Sequence, residues 1–107
     1  YMSLGQGMIE TLTVAGARNG YALTDRGTYI KYEDNFKGKP PLVIVVEGDK
    51  KLFNQYSVIV VDPSRAQGLA TDLAERYSAW MASPRGQKLV AEFKMSGKQL
   101  FFPNAKP

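Results

Sequence analysis

Hydrophobic residues near the start of the chain recur at the spacing of a helix. The apolar positions that share this spacing are Leu4, Met8, Leu12 and Ala15. Steps of three and four residues place such side chains on one face of a helix, so the pattern predicts a helix over residues 4–17. The basic turn that follows runs into Gly20, a residue type typical of helix C-termini, and predicts where this helix ends.

The middle of the chain contains two continuous β-branched runs instead of a helical pattern. They read LVIVVEG over residues 42–48 and YSVIVVD over residues 56–62. Runs without alternation are typical of strands that are buried on both faces, as in a parallel sheet. The residues between them are too few for a parallel crossover, so the two strands are either antiparallel neighbours or not paired directly. A shorter strand is predicted over residues 21–24.

The second half of the chain predicts two consecutive helices and an apolar end. An apolar stripe over residues 69–81 has the helical period. Ser83 followed by Pro84 is a typical helix start, with Ser83 as N-cap and Pro84 at the first helical position, so the two helices are expected to meet at a sharp corner. The sequence LFFPNA over residues 100–105 predicts an extended end that packs onto the body.

The stretch TDRGTYIKY, residues 24–32, predicts a short helix after the strand that precedes it. We expect the Thr24 hydroxyl to cap this helix, and Asp25 to lie in the first turn, where the helix dipole favours an acidic side chain. Residues 33–41 are polar and contain a glycine and two prolines, which predicts a loop.

Composition favours binding over catalysis. The 107 residues are 44% hydrophobic and 22% charged, which fits one globular domain. Because the chain has no cysteine and no histidine, thiol catalysis, imidazole-assisted nucleophiles and zinc sites built on nitrogen or sulfur are excluded. We therefore expect no enzyme activity, no cofactor and no metal site. The net charge of +4 comes from scattered basic residues, so no nucleic acid partner is predicted.

Three carboxylates and two aromatic residues each allow a second interpretation. Glu47, Asp49 and Asp62 suit a hard cation, but a strand end followed by GDKK favours a solvated turn. Tyr77 and Trp80 could stack on nucleic acid bases. Their place on the helix stripe favours core packing instead.

Five stretches in fixed order carry a resemblance to a known family. They are GQGM near the start, YALTDRGTY, LVIVVEGDKKLFNQYSVIVVDP, SPRGQKLVAEF and the closing LFFPNA. Together they resemble the C-terminal part of the tungstate-binding proteins of bacterial ABC importers, which are oxyanion receptors with the type II periplasmic binding protein fold. The similarity covers nearly the whole chain, and the ordered set is more specific than any one stretch.

The resemblance implies an α/β fold, as the C-terminal portion of a two-lobed receptor with a short, mostly parallel sheet and flanking helices. In that arrangement residues 1–32 end the second lobe, residues 33–41 form the crossover loop, and residues 42–107 belong to the first lobe. It also implies that the receptor binds tungstate or molybdate and delivers it to an ABC permease in the membrane. The implied location is periplasmic or extracytoplasmic, which includes attachment to the membrane as a lipoprotein.

The resemblance directs attention to Thr24, Arg26, Gly27 and Thr28 as anion-binding residues. Such receptors hold an oxyanion through amides at helix N-termini, hydroxyl groups and sometimes an arginine. The alternative is purely structural: Thr24 as a cap, Asp25 as a first-turn acid and Arg26 paired with a surface carboxylate. The anion loops that the family carries in its N-terminal and middle portions are absent from this chain.

Two other functions stay open at the level of sequence. One is an effector-sensing domain of a transcription regulator, which shares the two-lobed fold by analogy alone. The other is a fragment that binds no ligand and associates with another copy, because the edge of an incomplete sheet exposes unpaired backbone groups. That second alternative predicts a homodimer.

Overall fold

The computed structural model describes residues 2–65 and 67–106, so the outer ends of the predicted segments 1–32 and 42–107 lie outside the described residues. The chain divides into two compact units, Tyr1–Leu52 and Phe53–Pro107. Each unit contains two helices that pack on one another. The predicted division into lobes at residues 33–41 stays a prediction.

The first unit contains helix α1, Met8–Ala17, and helix α2, Arg26–Asn35. α1 begins later than predicted, because Gly7 is its N-cap and Gly5 has a left-handed φ of 60°. Its end agrees with the prediction: Asn19 adopts a left-handed φ of 52°, and the Gly20 amide donates to the Ala15 carbonyl at 2.8 Å.

The core of the first unit lies between these two helices. Leu12 of α1 and Ile30 and Tyr32 of α2 are its buried hydrophobic residues among those described. Tyr32 is only 1% exposed, and its ring packs against that of Phe36 with centroids 4.9 Å apart. Gly16 of α1 lets the Tyr32 side chain approach this helix closely, because a Cβ atom at Gly16 would lie 2.8 Å from the Tyr32 hydroxyl.

The Tyr32 hydroxyl is buried without a hydrogen-bond partner. Loss of hydration raises the pKa of Tyr32 above its usual 10.0, and the neighbouring Tyr29 raises this pKa further. The neutral phenol is therefore the form that the fold favours.

α2 extends further than the short helix predicted from the sequence. It continues to Asn35, into the segment predicted as a loop. Left-handed φ angles at Lys37 and Gly38 then end it, and the Gly38 amide donates to the Glu33 carbonyl at 3.0 Å. The predicted loop therefore begins only after this turn.

The second unit is built on a helix corner. Helix α3, Thr71–Ala82, is followed after one residue by helix α4, Pro84–Glu92. Ser83 forms the corner: its hydroxyl donates to the Trp80 carbonyl at 2.6 Å and accepts from the Gly86 amide at 3.2 Å. The predicted cap, the proline at the first helical position and the corner are all confirmed.

A short hairpin follows α4. Strands β1, Lys94–Met95, and β2, Lys98–Gln99, pair antiparallel with Lys94 opposite Gln99. Ser96 and Gly97 form the turn with φ angles of 49° and 76°, the two left-handed residues that a tight hairpin requires. Sequence analysis missed this hairpin, and the Ser-Gly pair was the signal that could have revealed it.

The apolar end packs onto the second unit, as predicted. The Ala105 amide donates to the Gln87 side chain at 3.0 Å, and the Asn104 amide group donates to Gln55 at 2.9 Å. The Phe101 ring contacts the rings of Phe93 and Tyr56, with centroids 6.3 and 5.7 Å away.

The three predicted strands, residues 21–24, 42–48 and 56–62, are not strands in the structure. Within the described residues the β1–β2 hairpin is the sheet, and it is antiparallel, so the mostly parallel arrangement is not found there. The two β-branched runs are also exposed, with Val43 at 72% and Ile59 at 84%. A β-branched run predicts that a segment suits a sheet, but a ladder also needs a neighbouring strand within reach.

Candidate functional site

The start of α2 is capped by Asp25, and the prediction that Thr24 caps it was wrong. The Asp25 carboxylate accepts from the Thr28 amide at 2.7 Å and from the Thr28 hydroxyl at 3.0 Å. The Thr24 hydroxyl instead donates to the Asp25 carbonyl at 3.4 Å. A carboxylate at this position satisfies an amide of the first turn and also meets the positive end of the helix dipole. Asp25 therefore fixes the first turn through Thr28.

Removing this cap should destabilise the first unit. We expect Asp25→Ala to lower the free energy of unfolding by about 1 kcal/mol, because the Thr28 amide loses its acceptor. Thr24→Ala, one residue away, should change it by less than about 0.5 kcal/mol. Urea unfolding of both variants beside wild type makes the comparison. An equal loss in both would show that the cap is shared rather than carried by Asp25.

Arg26 forms an ion pair with Glu47. Its Nη2 atom lies 2.5 Å from the Glu47 carboxylate, and the two side chains are 40% and 47% exposed. The sequence-based alternative, in which Arg26 pairs with a surface carboxylate, is thus what the structure contains. The sequence favours a solvated turn for Glu47, with a cation site as the alternative, and a pairing between segments so far apart in the chain leaves no local signal.

A second contact joins the same two segments. Tyr29 follows Arg26 by three residues along α2, and its hydroxyl donates to the Leu42 carbonyl at 3.1 Å. The first β-branched run is therefore held to α2 at both of its ends, at Leu42 by Tyr29 and at Glu47 by Arg26. Between these ends, Val43 to Val46 are at least half exposed.

The four predicted anion-binding residues lie together around the first turn of α2. Thr24 precedes the cap, and Arg26, Gly27 and Thr28 are the first three residues of the helix. Amides at this end of a helix have no carbonyl partner within the helix, which suits an anion. In the structure Asp25 and Glu47 already supply anionic oxygens to Thr28 and Arg26.

The other two carboxylates considered for a cation form turns. Asp49 accepts from the Lys51 amide at 2.8 Å, and Asp62 accepts from the Ser64 amide at 2.9 Å. Each opens a 3₁₀ turn, and the hydrogen bonds from the Ser64 amide and hydroxyl lower the pKa of Asp62. Over residues 2–65 and 67–106, no cluster of three acidic residues could hold a metal ion.

An apolar groove of about 330 Å³ lies in the second unit, beside the second β-branched run. Its walls are the run, the two residues before α3 and the first two turns of α3, formed by Val58, Ile59, Val60, Val61, Leu69, Ala70, Thr71, Ala74 and Tyr77. Sequence analysis assigned Tyr77 to the core; in the structure it is 55% exposed, and its ring stacks on that of Trp80. The groove has no charged lining residue and is unsuited to an oxyanion.

None of the helices within the described residues has the length and apolar character needed to cross a membrane.

Known proteins resemble the chain over nearly its full length. The structure of the tungstate-binding protein TupA from Desulfovibrio alaskensis G20 matches with a TM-score of 0.87 and 55% sequence identity, covering 99% of this chain and 42% of that one. The tungstate-binding protein TupA of Campylobacter jejuni is 45% identical over 106 residues, and that of Peptoclostridium acidaminophilum is 37% identical over 107.

The chain spans 39% of the length of the Campylobacter protein and 36% of the Peptoclostridium protein, so it corresponds to a part of each. The predicted α/β class, as a portion of a larger receptor fold, is confirmed by the structural match. The family model of the PBP superfamily domain matches residues 2–85, more than three quarters of the chain. The chain belongs to the PBP superfamily.

Proposed function

We propose that this chain is part of the substrate-binding component of an ABC transporter, and that the component binds tungstate or a related tetrahedral oxyanion such as molybdate. One observation carries the proposal: almost the whole chain superposes on a tungstate-binding protein at 55% identity. The ligand is bound and released without chemical turnover. The absence of cysteine and histidine agrees with a site built from amides, hydroxyls and arginine.

Within the chain, the first turn of α2 is the proposed anion contact. Arg26 supplies a planar guanidinium, which suits paired anionic oxygens better than a lysine does. Thr24 and Thr28 supply hydroxyl groups, and Gly27 supplies an amide with no side chain in the way of the ligand. The remaining contacts to the anion would come from the parts of the full receptor that correspond to the rest of the longer relatives.

Calorimetric titration with tungstate, with sulfate as the comparison ligand, tests this assignment. We expect Arg26→Ala to weaken tungstate binding by roughly tenfold or more, since a charged hydrogen bond to the anion is lost. Arg76→Ala, an equal change of charge on an exposed residue of α3, should leave the affinity within a factor of two of wild type, roughly the effect of a distant surface charge.

The titration should be made both on this chain and on the full-length gene product. Binding by the longer protein alone would mean that segments beyond this chain complete the site. Tungstate binding that is equally tight in wild type and Arg26→Ala would remove the first turn of α2 from the proposal. Failure of the full-length protein to bind tungstate would reject the function itself.

The proposed component works outside the cytoplasm, in the periplasm or attached to the membrane as a lipoprotein, and hands its ligand to a permease. The rival function, an effector-sensing domain of a transcription regulator, predicts a helix-turn-helix in the same gene product. Cell fractionation separates the two: recovery of the full-length protein from the cytoplasm would contradict transport.

A second proposal, homodimer formation, comes from the exposed β-branched runs. Ile59 is 84% exposed beside the apolar groove, and Val43 to Val46 are exposed in the first unit. Apolar runs of this kind associate readily with another copy of the same chain. We expect the isolated chain to sediment as a dimer, and Ile59→Lys to shift it toward a monomer. A wild-type monomer at high micromolar concentration would contradict the proposal.

A further inference from the structure

The ion pair of Arg26 places a protein carboxylate where the proposed function places an oxyanion. The Glu47 carboxylate contacts Arg26 at Nη2. To a guanidinium group, a carboxylate and one edge of a tetrahedral oxyanion present the same feature, a pair of anionic oxygens. An oxyanion that contacts Arg26 must therefore share the guanidinium with Glu47 or replace Glu47.

We propose that Glu47 is an internal competitor for Arg26, and that a bound oxyanion displaces it. The inference rests on the proposed function, because it takes Arg26 to be an anion contact. It adds a residue that weakens binding, whereas the candidates found from the sequence all strengthen it.

Displacement is favoured over sharing by charge. A dianion beside Arg26 would lie within a few ångströms of the Glu47 carboxylate if the ion pair persisted, and like charges at that separation repel strongly. Both side chains are about half exposed, so the released carboxylate can turn into water without burial of an unpaired charge. Ion pairs with this exposure contribute little, and the cost of separating this one is correspondingly small.

The backbone around Glu47 presents its side chain to Arg26. On one side, the Leu42 carbonyl is held by Tyr29 of α2. On the other side, Asp49 fixes a tight turn through the Lys51 amide. The Arg26 end is fixed as well, because Asp25 caps the first turn of α2. The run that contains Glu47 and the start of α2 are thus both held in place, and this brings Glu47 into contact with Arg26.

The test compares Glu47→Gln with Glu92→Gln in the full-length gene product, titrated with sodium tungstate. Glu92 forms an ion pair with Lys88 at 3.6 Å on α4, so its variant makes the same change in net charge in the second unit. We expect Glu47→Gln to tighten tungstate binding by up to about fivefold, the limit that a weak exposed pair sets. Glu92→Gln should leave the dissociation constant unchanged.

Repeating Glu47→Gln in an Arg26→Gln background separates competition from a general field effect. If Glu47 acts through Arg26, the gain disappears in that background. An equal gain in both backgrounds would overturn the proposal, as would unchanged or weaker binding in Glu47→Gln alone. Thermal unfolding without tungstate checks that each variant is folded. If wild type does not bind tungstate, the proposed function fails; if wild type binds and Glu47→Gln matches Glu92→Gln, only this inference fails.

Discussion

Tyr32→Ala is expected to lower the free energy of unfolding of the first unit by about 3 to 5 kcal/mol, the usual cost of truncating a large aromatic side chain in a core. Tyr32 is 1% exposed and is one of three buried hydrophobic residues among those described. Its ring also packs against that of Phe36, so the truncation removes this contact as well. Urea unfolding followed by circular dichroism measures the loss.

Tyr32→Phe is the matched control, because it keeps the ring and removes the unpartnered hydroxyl. We expect no loss of stability and a gain of up to about 1 kcal/mol, since a buried polar group without a partner is removed. A loss as large as that of Tyr32→Ala would mean that the hydroxyl makes a contact essential to the fold.

Wild type and Tyr32→Phe are expected to differ in how their stability depends on pH. Burial raises the pKa of folded Tyr32 above the 10.0 of the unfolded chain. In the window between these two values the unfolded state loses its proton while the folded state keeps it, so stability is full below pH 10 and falls as pH rises through that window. Tyr32→Phe should abolish this part of the alkaline destabilisation.

Gly86→Ala is expected to destabilise the second unit by about 2 to 3 kcal/mol, through overpacking at the helix corner. A Cβ atom on Gly86 would lie 2.3 Å from the Trp80 carbonyl oxygen and 3.0 Å from that of Met81. Both are backbone atoms, so the corner itself must open. The higher helix propensity of alanine, about 1 kcal/mol, acts in the opposite direction and is too small to reverse the sign.

Gly20→Ala provides the comparison for Gly86→Ala. At Gly20 the nearest atom to an added Cβ is 3.8 Å away, an ordinary contact distance. We expect a change of less than about 0.5 kcal/mol. Differential scanning calorimetry of the two variants separates the effect of the corner from the general effect of replacing a glycine. A stable Gly86→Ala protein would show that the corner relaxes at little cost.

The features predicted correctly from the sequence are those determined by neighbouring residues. The corner depends on the Ser83 cap, which lies within three residues of the groups it bonds, and on Pro84, whose fixed φ suits the first helical position. Both residues are visible in the sequence. At the start of α2 the same reasoning chose Thr24 over the adjacent Asp25, because either side chain can cap and the backbone decides between them.

The misassigned strands and the missed ion pair depend on distant partners, whereas the missed hairpin at Ser96 and Gly97 had a local signal. Residues 42–48 have the composition of a buried strand, but exposure and pairing are set by what lies beside them. The ion pair of Arg26 with Glu47 has the same origin, since it forms between separate segments. For the candidate site, the sequence predicted which residues lie together at the start of α2, and the structure added the carboxylates that contact them.

The helix corner has a spectroscopic consequence. Trp80, whose carbonyl accepts from Ser83, is the one tryptophan in the sequence, and its ring stacks on that of Tyr77 with centroids 6.3 Å apart. Tyr29 and Tyr32 belong to the first unit. Light at the long-wavelength edge of protein absorption excites tryptophan alone, so the emission of Trp80 monitors the second unit. Tyrosine absorbance reports on both units, because Tyr56 and Tyr77 lie in the second. A single native side chain, without an added label, thus reports on the helix corner of the second unit.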